Sequence, residues 1–342
     1  MAQALAIKYR PKCWEDLTEQ VGVVAILDNQ IATNTIKHGY LFCGGAGTGK
    51  TTSARIFANK INNGQGEPIE LDAASNNSVD DIRRITEQAT KKSLDSEYKV
   101  FILDEVHVLS NQAWQAMLKT LEEPPAKSIF ILCTTNPEKI PATILSRVQR
   151  YNFQRISHEG IVNRLNTILQ SEAVENPEIS WSAEAVEYIA KIADGGMRDA
   201  ITLVDKCLSY SKDLTEKNVI SALGVVDYST MFDLIEIFHN KDIELCLESI
   251  NNIYSSGMDL KLFIKDFFEF ILDVNVALTL KSLDFTKLPS IWESTLSSFG
   301  SDYKSVIFNM LSMLNELQSS IKWEQNPKAV ISAKFILFMS EV

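Results

Sequence analysis

Residues 44–52 read Gly44, Gly45, Ala46, Gly47, Thr48, Gly49, Lys50, Thr51 and Thr52, which fits the spacing G-x-x-x-x-G-K-[ST]. Glycines let such a loop wrap so that successive backbone N–H groups face phosphate oxygens. Lys50 then reaches the β- and γ-phosphates of a nucleotide, and the Thr51 hydroxyl ligates Mg2+. An apolar run at 40–43 precedes the loop and a helical pattern, TTSARIFANKI, follows it. Strand, loop and helix in that order are the setting in which this spacing holds phosphate. Farther on, the apolar run 100–103 leads directly into Asp104 and Glu105. One carboxylate at a strand end holds Mg2+ through water, and its neighbour activates a water for attack on the γ-phosphate. Alone, an Asp-Glu pair reads as a solvated turn. Beside an intact phosphate loop it points to hydrolysis rather than binding alone.

Three further positions stay open on pattern. Residues 129–134 form another buried run that ends in Thr134, Thr135 and Asn136. A hydroxyl or amide at the C-terminal end of a parallel strand can sense the γ-phosphate, and an ordinary strand-ending turn reads equally well. Arg147, in Leu145-Ser146-Arg147, and Arg198, in Gly195-Gly196-Met197-Arg198-Asp199, are single arginines that pattern alone leaves on the surface.

The elements that position these residues alternate over the first part of the chain. Strand-like runs at 40–43, 69–71, 100–103 and 129–134 are separated by helical stretches at 51–61, 78–92 and 111–122. The helix at 78–92 opens on Ser78-x-x-Asp81, a start like a capping box. In the helix at 111–122, Trp114, Met117, Leu118 and Leu121 make one face and Gln112, Gln115, Lys119 and Glu122 the other, and Pro124-Pro125 stops it. Such alternation predicts a mostly parallel sheet with helices on both faces. From about residue 157 strand signals fade and amphipathic helices follow, with Gly195-Gly196 breaking the pattern before a helix at 198–210. From about 227 the chain reads as helical, with Leu260, Phe263, Ile264, Phe267, Phe268, Ile271 and Leu272 as a packing stripe. The expected organisation is an α/β P-loop domain at 1–156, a small helical domain at 157–226 and a helical bundle at 227–342.

Composition excludes several classes. The 342 residues carry 33 Lys+Arg against 44 Asp+Glu, a net charge of −11, with 45% hydrophobic and 23% charged residues. That is an ordinary globular balance. The acidic excess argues against nucleic acid on every face while leaving room for a local basic patch. No apolar run reaches the length of a membrane span, and the first residues lack the order of a secretory signal. The five cysteines, at 13, 43, 133, 207 and 246, are too far apart for a local zinc or redox pair.

With these segments in order, the sequence resembles the clamp-loader ATPases of the AAA+ superfamily, of the bacterial DNA polymerase III gamma/tau type. The resemblance rests on KYRP (8–11), GGAGTGKTT (44–52), LDAASNNSVDDIR (71–83), FILDEVHVLS (101–110), LKTLEEPP (118–125), TTNPEKIPATILSR (134–147) and GGMRDA (195–200). It covers roughly residues 1–225 by motif and the remainder by length and helicity. The resemblance implies an AAA+ ATPase domain, a helical lid and an all-helical collar. ATP and Mg2+ are the implied ligands, with Lys50 and Thr51 on phosphate and metal, Asp104 assisting the metal and Glu105 as base. Thr135 matches sensor 1, Arg198 matches sensor 2, and Arg147 matches the arginine finger offered to ATP in a neighbouring subunit. Arg10 and Pro11 fall on the segment that lines the adenine side. Arg83 and Lys119 match positions that touch the phosphate backbone of DNA in relatives. The implied partners are other clamp-loader subunits in a pentamer-like assembly, a sliding clamp and primer–template DNA, with no membrane, in a bacterial cytoplasm or that of the host of a phage or plasmid.

Three departures stand out. Residues 61–68 (INNGQGEP) bridge the place where relatives carry a four-cysteine module, so no zinc is expected. Val148 replaces the cysteine of Ser-Arg-Cys beside Arg147, and the V-G-Q segment near the adenine pocket reads Thr18-Glu19-Gln20. The chain is expected to be a short form without a tau-type extension. Two other readings compete. A structural subunit that offers its finger without hydrolysing ATP would lack the Lys or Glu, and Lys50, Thr51, Asp104 and Glu105 are all present. A different AAA+ motor, such as a branch-migration or protein-remodelling ring, is opposed by TLEEPP and SNNSVDDIR.

Overall fold

The computed structural model describes residues 3–93, 95–223 and 228–341. They divide into two compact units, Met1–Glu175 with Ala193–Asp205, and Asn176–Ile192 with Lys206–Val342. The first unit is built on a five-stranded sheet of β1 (Gly39–Cys43), β2 (Ile69–Asp72), β3 (Lys99–Asp104), β4 (Ser128–Thr134) and β5 (Gln149–Asn152). Their order is β2-β3-β4-β1-β5, with every pair parallel. Its longer helices include α1 (Val21–Ala32), α2 (Lys50–Ile61), α3 (Val79–Thr90), α4 (Asn111–Glu122) and α5 (His158–Glu175).

Burial on both faces explains why the central strands read as continuous apolar runs. Along β1, Leu41 and Cys43 join one core with Trp114, Met117 and Ile82, while Tyr40 and Phe42 join the other with Phe57, Leu27 and Tyr151. The expected face of α4 is confirmed: Trp114, Met117 and Leu121 are buried and Leu118 is partly so. The capping box of α3 is present, with Ser78 accepting from Asp81 N and Asp81 from Ser78 N.

Two elements of this unit escape sequence reasoning. β5 is an edge strand of sequence QRYN with only Tyr151 buried, so it carries no apolar run. In α1 the residues VGVVAILDNQIA bury only Val23, Leu27 and Gln30, while Val21 and Ile26 face outward, which blurs the periodicity.

Beyond the sheet lie α6 (Ala183–Ala193) and α7 (Met197–Tyr210), then α8 (Glu216–Leu223), α9 (Tyr228–Asn240), α10 (Ile243–Ser255), α11 (Leu260–Leu280), α12 (Ser301–Ile321) and α13 (Pro327–Glu341). Two short strands, Ser180–Trp181 and Asp213–Leu214, pair in parallel where no strand was expected. The stripe on α11 needs one correction. Leu260, Phe263, Ile264, Phe267 and Ile271 are buried, but Phe270, Val274 and Ala277 complete the seam, while Phe268 is half-buried and Leu272 exposed. Steps of three and four sustained along a helix keep one narrow seam against a neighbouring helix, here α12. The expected boundary at 226/227 lies outside the described residues.

Candidate nucleotide-binding and catalytic site

The strand order sets β3, β4 and β1 side by side, so the segments that leave their C-terminal ends meet at one edge of the sheet. From β1 the chain enters the glycine loop and then α2, which starts at Lys50. Gly47 has φ of +68°, and a Cβ there would lie 3.0 Å from Gly196 Cα and 3.3 Å from Arg198 N. Met197 N also donates to Gly47 O at 3.1 Å. The tip of the loop therefore packs main chain to main chain against the turn that carries Arg198.

Lys50 is only 6% exposed, and its Nζ donates to the carbonyls of Gly44 at 2.9 Å and Gly45 at 2.7 Å. Burial pushes its ammonium below the ordinary lysine range, against the opposing pull of the Glu105 carboxylate. A cation that sacrifices hydration in this way gains from a multiply charged anion. Thr51 Oγ1 donates to Asp104 Oδ2 at 2.6 Å, and Asp104 Oδ1 accepts from Glu105 N at 3.0 Å. Hydroxyl and carboxylate oxygens are the hard donors Mg2+ takes, and this ion ordinarily completes its shell with water and substrate phosphates.

Glu105 sits just after β3 in the left-handed region, with φ of 50°. Its Oε2 accepts from Thr135 Oγ1 at 3.0 Å, which brings the two sequence-predicted residues into direct contact. Residues that pattern did not select also enter the site. His107 Nδ1 lies 3.1 Å from the same Glu105 oxygen. Tyr9 and Arg164 line the cavity, and Arg164 reaches back to the carbonyl of Tyr9. Arg164 stands on α5 amid a helical repeat, where nothing but the fold distinguishes it from a surface arginine.

A cavity of about 310 Å3 unites most of the predicted residues. Its walls include Arg10 and Pro11, residues 46–52 of the loop, Asp104 and Glu105, and Arg198. Gly44 and Gly45 do not line it but anchor Lys50, and Thr135 stands behind Glu105. Burial lowers the Arg10 guanidinium, and Arg55 and Arg198 add repulsion that Glu70 and Asp104 partly offset. Four cations, Arg10, Lys50, Arg164 and Arg198, thus meet four carboxylates, Asp16, Asp104, Glu105 and Asp199, in one chamber.

Three predicted residues lie elsewhere. Arg147 follows the short helix Ala142–Leu145 and is held by Glu122 Oε1 at 2.6 Å, Thr143 O at 2.6 Å and Ser146 Oγ at 2.9 Å. Arg83 pairs with Asp80 on the exposed face of α3. Lys119 is exposed on α4 and forms no ion pair among the described residues.

This phosphate loop, with its carboxylates on the neighbouring strand, defines a P-loop protein. Its fold is that of the AAA+ class: it resembles the RuvB Holliday junction branch migration motor of Thermotoga maritima at a TM-score of 0.51 and 17% identity, over 73% of this chain and 86% of that one. Residues 67–157 match the family model described as DNA polymerase III, delta subunit. Residues 160–213 match that of the DNA polymerase III clamp loader subunit, ATPase lid domain, and 214–303 that of DNA polymerase III subunits gamma and tau domain III. The chain is 36% identical to DNA polymerase III subunit tau of Bacillus subtilis, across 95% of this chain and 61% of the relative. It is 31% identical to DNA polymerase III subunit gamma of Buchnera aphidicola from Acyrthosiphon pisum, across 89% of this chain and 86% of the relative. The chain belongs to the DNA polymerase III gamma/tau subunit family. It spans less than two thirds of the Bacillus subtilis tau subunit.

Proposed function

We propose that this chain is an ATP-hydrolysing motor subunit of a DNA polymerase III-type clamp loader, opening a sliding clamp and placing it on primer–template DNA. The observation that carries the reading is the single cavity in which the phosphate loop, Asp104, Glu105, Arg10 and Arg198 converge. ATP phosphates would take the N–H groups of residues 46–52 and the Nζ of Lys50, which would leave the Gly44 and Gly45 carbonyls. Thr51 and Asp104 would hold Mg2+, which neutralises phosphate charge when bound. Glu105 is the base toward the attacking water, Thr135 orients it, and Arg198 contacts phosphate in cis. Arg10 and Pro11 line the adenine side.

Arg147 does not reach this cavity and is paired on another surface, which supports its role as a finger for a neighbouring subunit's ATP. A single copy then has an incomplete site, and hydrolysis belongs to an assembly with other loader subunits. Lys119, exposed and without an ion pair among the described residues, is the better placed of the two DNA-contact candidates; Arg83 must first leave Asp80. The working division is an ATPase domain at 1–156, a lid at 157–226 and an oligomerising collar at 227–342. Among the described residues no helix is long and apolar enough to cross a membrane. The bacterial relatives support action in a bacterial cytoplasm, or in that of the host of a phage or plasmid.

The test is ATP turnover by the chain with its co-encoded loader subunits, titrated with clamp and primed DNA. Synergistic stimulation, lost in Arg147→Ala, is expected. Tight ATP binding with no turnover under all conditions would mean a structural subunit. Stimulation by branched junctions or unfolded protein in place of the clamp would mean a different motor.

A further inference from the structure

We propose that His107 is a positioning residue for Glu105, fixing the carboxylate so that one defined oxygen faces the attacking water. The inference rests on the reading of Glu105 as the catalytic base. Two residues from different elements converge on a single oxygen: Thr135, just after β4, donates to Glu105 Oε2 from its Oγ1 at 3.0 Å and its N at 3.4 Å, and His107 Nδ1, in the 3-10 turn Val106–Val108, stands 3.1 Å from the same atom. Among the described residues nothing hydrogen-bonds to Oε1, and Glu105 lines the nucleotide cavity. A carboxylate held through Oε2 from two sides cannot rotate about its terminal torsion, which leaves Oε1 as the site for a water proton.

The imidazole is itself held. Its Nδ1 stands 3.3 Å from Thr134 Oγ1, and Thr134 is fully buried at the end of β4, where it also receives Asn136 N. Val106, between the two residues, is fully buried, so the turn is pinned into the core and its two polar side chains leave on the same side. Nδ1 thus stands between two oxygens, hydrogen-bonded to Thr134 Oγ1 and within ion-pair reach of Glu105 Oε2, and a proton on it serves the carboxylate.

The geometry names the atom, so the substitutions can test it. In the assembled loader, His107→Ala is expected to lower kcat about tenfold to a hundredfold and leave KM for ATP within about twofold. His107→Asn sets an amide N–H near the place of Nδ1 and restores most of kcat; His107→Gln, whose amide stands near the place of Nε2, does not. Equal activity of Asn and Gln variants, or wild-type or higher kcat in His107→Ala, overturns the proposal. A second readout needs no hydrolysis. The chain has four histidines, and 15N spectra of their rings report which nitrogen bears the proton. His107 is expected to be protonated at Nδ1 and to shift in Glu105→Gln; a bare Nδ1, or no response, overturns the contact. A wild-type loader that hydrolyses no ATP overturns the ATPase reading together with this one. Normal wild-type turnover with indifferent His107 variants overturns this one alone.

Discussion

The contact between Gly47 and Gly196 makes a quantitative prediction, because one methyl group would separate the phosphate loop from the turn that carries Arg198. In Gly47→Ala, two costs add. An L-residue at φ of +68° pays about 1–2 kcal/mol for the left-handed conformation. The new Cβ would stand 3.0 and 3.2 Å from the Gly196 main chain, which unlike the end of a flexible side chain cannot swing aside. Overpacking of this kind costs about 1–3 kcal/mol. The strain is relieved most simply if the 195–198 turn backs away, taking Arg198 from the cavity. A charged hydrogen bond to phosphate is worth about 1.5–3 kcal/mol, so ATP affinity is expected to fall about 10- to 100-fold. Titration calorimetry with ATP and Mg2+ on the isolated chain measures this, and denaturant unfolding measures the stability loss. Gly47→Asn is the control. Asparagine tolerates the left-handed region yet carries the same Cβ, so it is expected to recover the conformational part of the stability loss while ATP affinity stays low. If Gly47→Asn binds ATP as the wild type does, the loss in the alanine variant came from backbone strain, and the argument from the Gly196 contact is refuted. By contrast, a Cβ on Gly196 itself meets the Asp199 carboxylate at 2.7 Å, a side-chain end that can move, and the main-chain oxygens of Ala46 and Ala193 only at 3.3 Å, so Gly196→Ala is expected to be the milder change.

Glu105→Gln is expected to bind ATP with near-normal affinity and to lose about 10²–10⁴ in turnover; ordinary steady-state turnover in that variant would sink the base assignment. Arg147→Ala should leave ATP affinity of the isolated chain unchanged, because the guanidinium lies outside the cavity, while turnover of the assembly collapses. Loss of binding in the isolated chain would place the arginine in cis instead. The thiols offer a check on the fold itself. Cys207 and Cys246 are buried and pushed up to about 11, burial also raises Cys43 and Cys133, and half-exposed Cys13 is raised by the carboxylates of Glu15 and Asp16. A raised thiol pKa means little thiolate at neutral pH and more as pH climbs, so the native chain at pH 8 is expected to react at Cys13 alone, slowly, with all five reacting in denaturant. Two or more fast thiols in the native chain would contradict the packing of β1, β4, α7 or α10, which bury Cys43, Cys133, Cys207 and Cys246.

What the sequence reveals about the fold follows from burial. β1, β3 and β4 are covered on both faces, so their residues are almost all apolar, and their ends, where the chemistry sits, are marked by the change to polar residues. β5 is at the edge, needs one buried tyrosine, and gives no such mark. On α11 the pattern contained more apolar residues than the seam uses, and only the presence of α12 decides between Phe268 and Phe270.

The site divides along a similar line. The phosphate loop and the Asp104-Glu105 pair are local in sequence, because a tight loop and a strand end each need consecutive residues. Their supports are not local: His107 becomes visible only when β4 brings Thr134 and Thr135 beside it, and Glu122 only when Arg147 lies against α4. The departure Thr18-Glu19-Gln20 shows the same point from the other side. In place of a glycine, Glu19 takes φ of 59°, a strained choice for a residue with a Cβ. Its carboxylate, however, receives both the N–H of Ser157, at 2.6 Å, and the Ser157 hydroxyl, at the start of α5. Gln20, only 4% exposed, donates to Gln154 O and accepts from Gln154 N. The conformation that glycine supplies without a side chain is here stabilised by four hydrogen bonds to residues 154 and 157, far away in sequence. A motif judged by residue identity alone would count this segment as lost; its backbone keeps the left-handed turn, held from the opposite side.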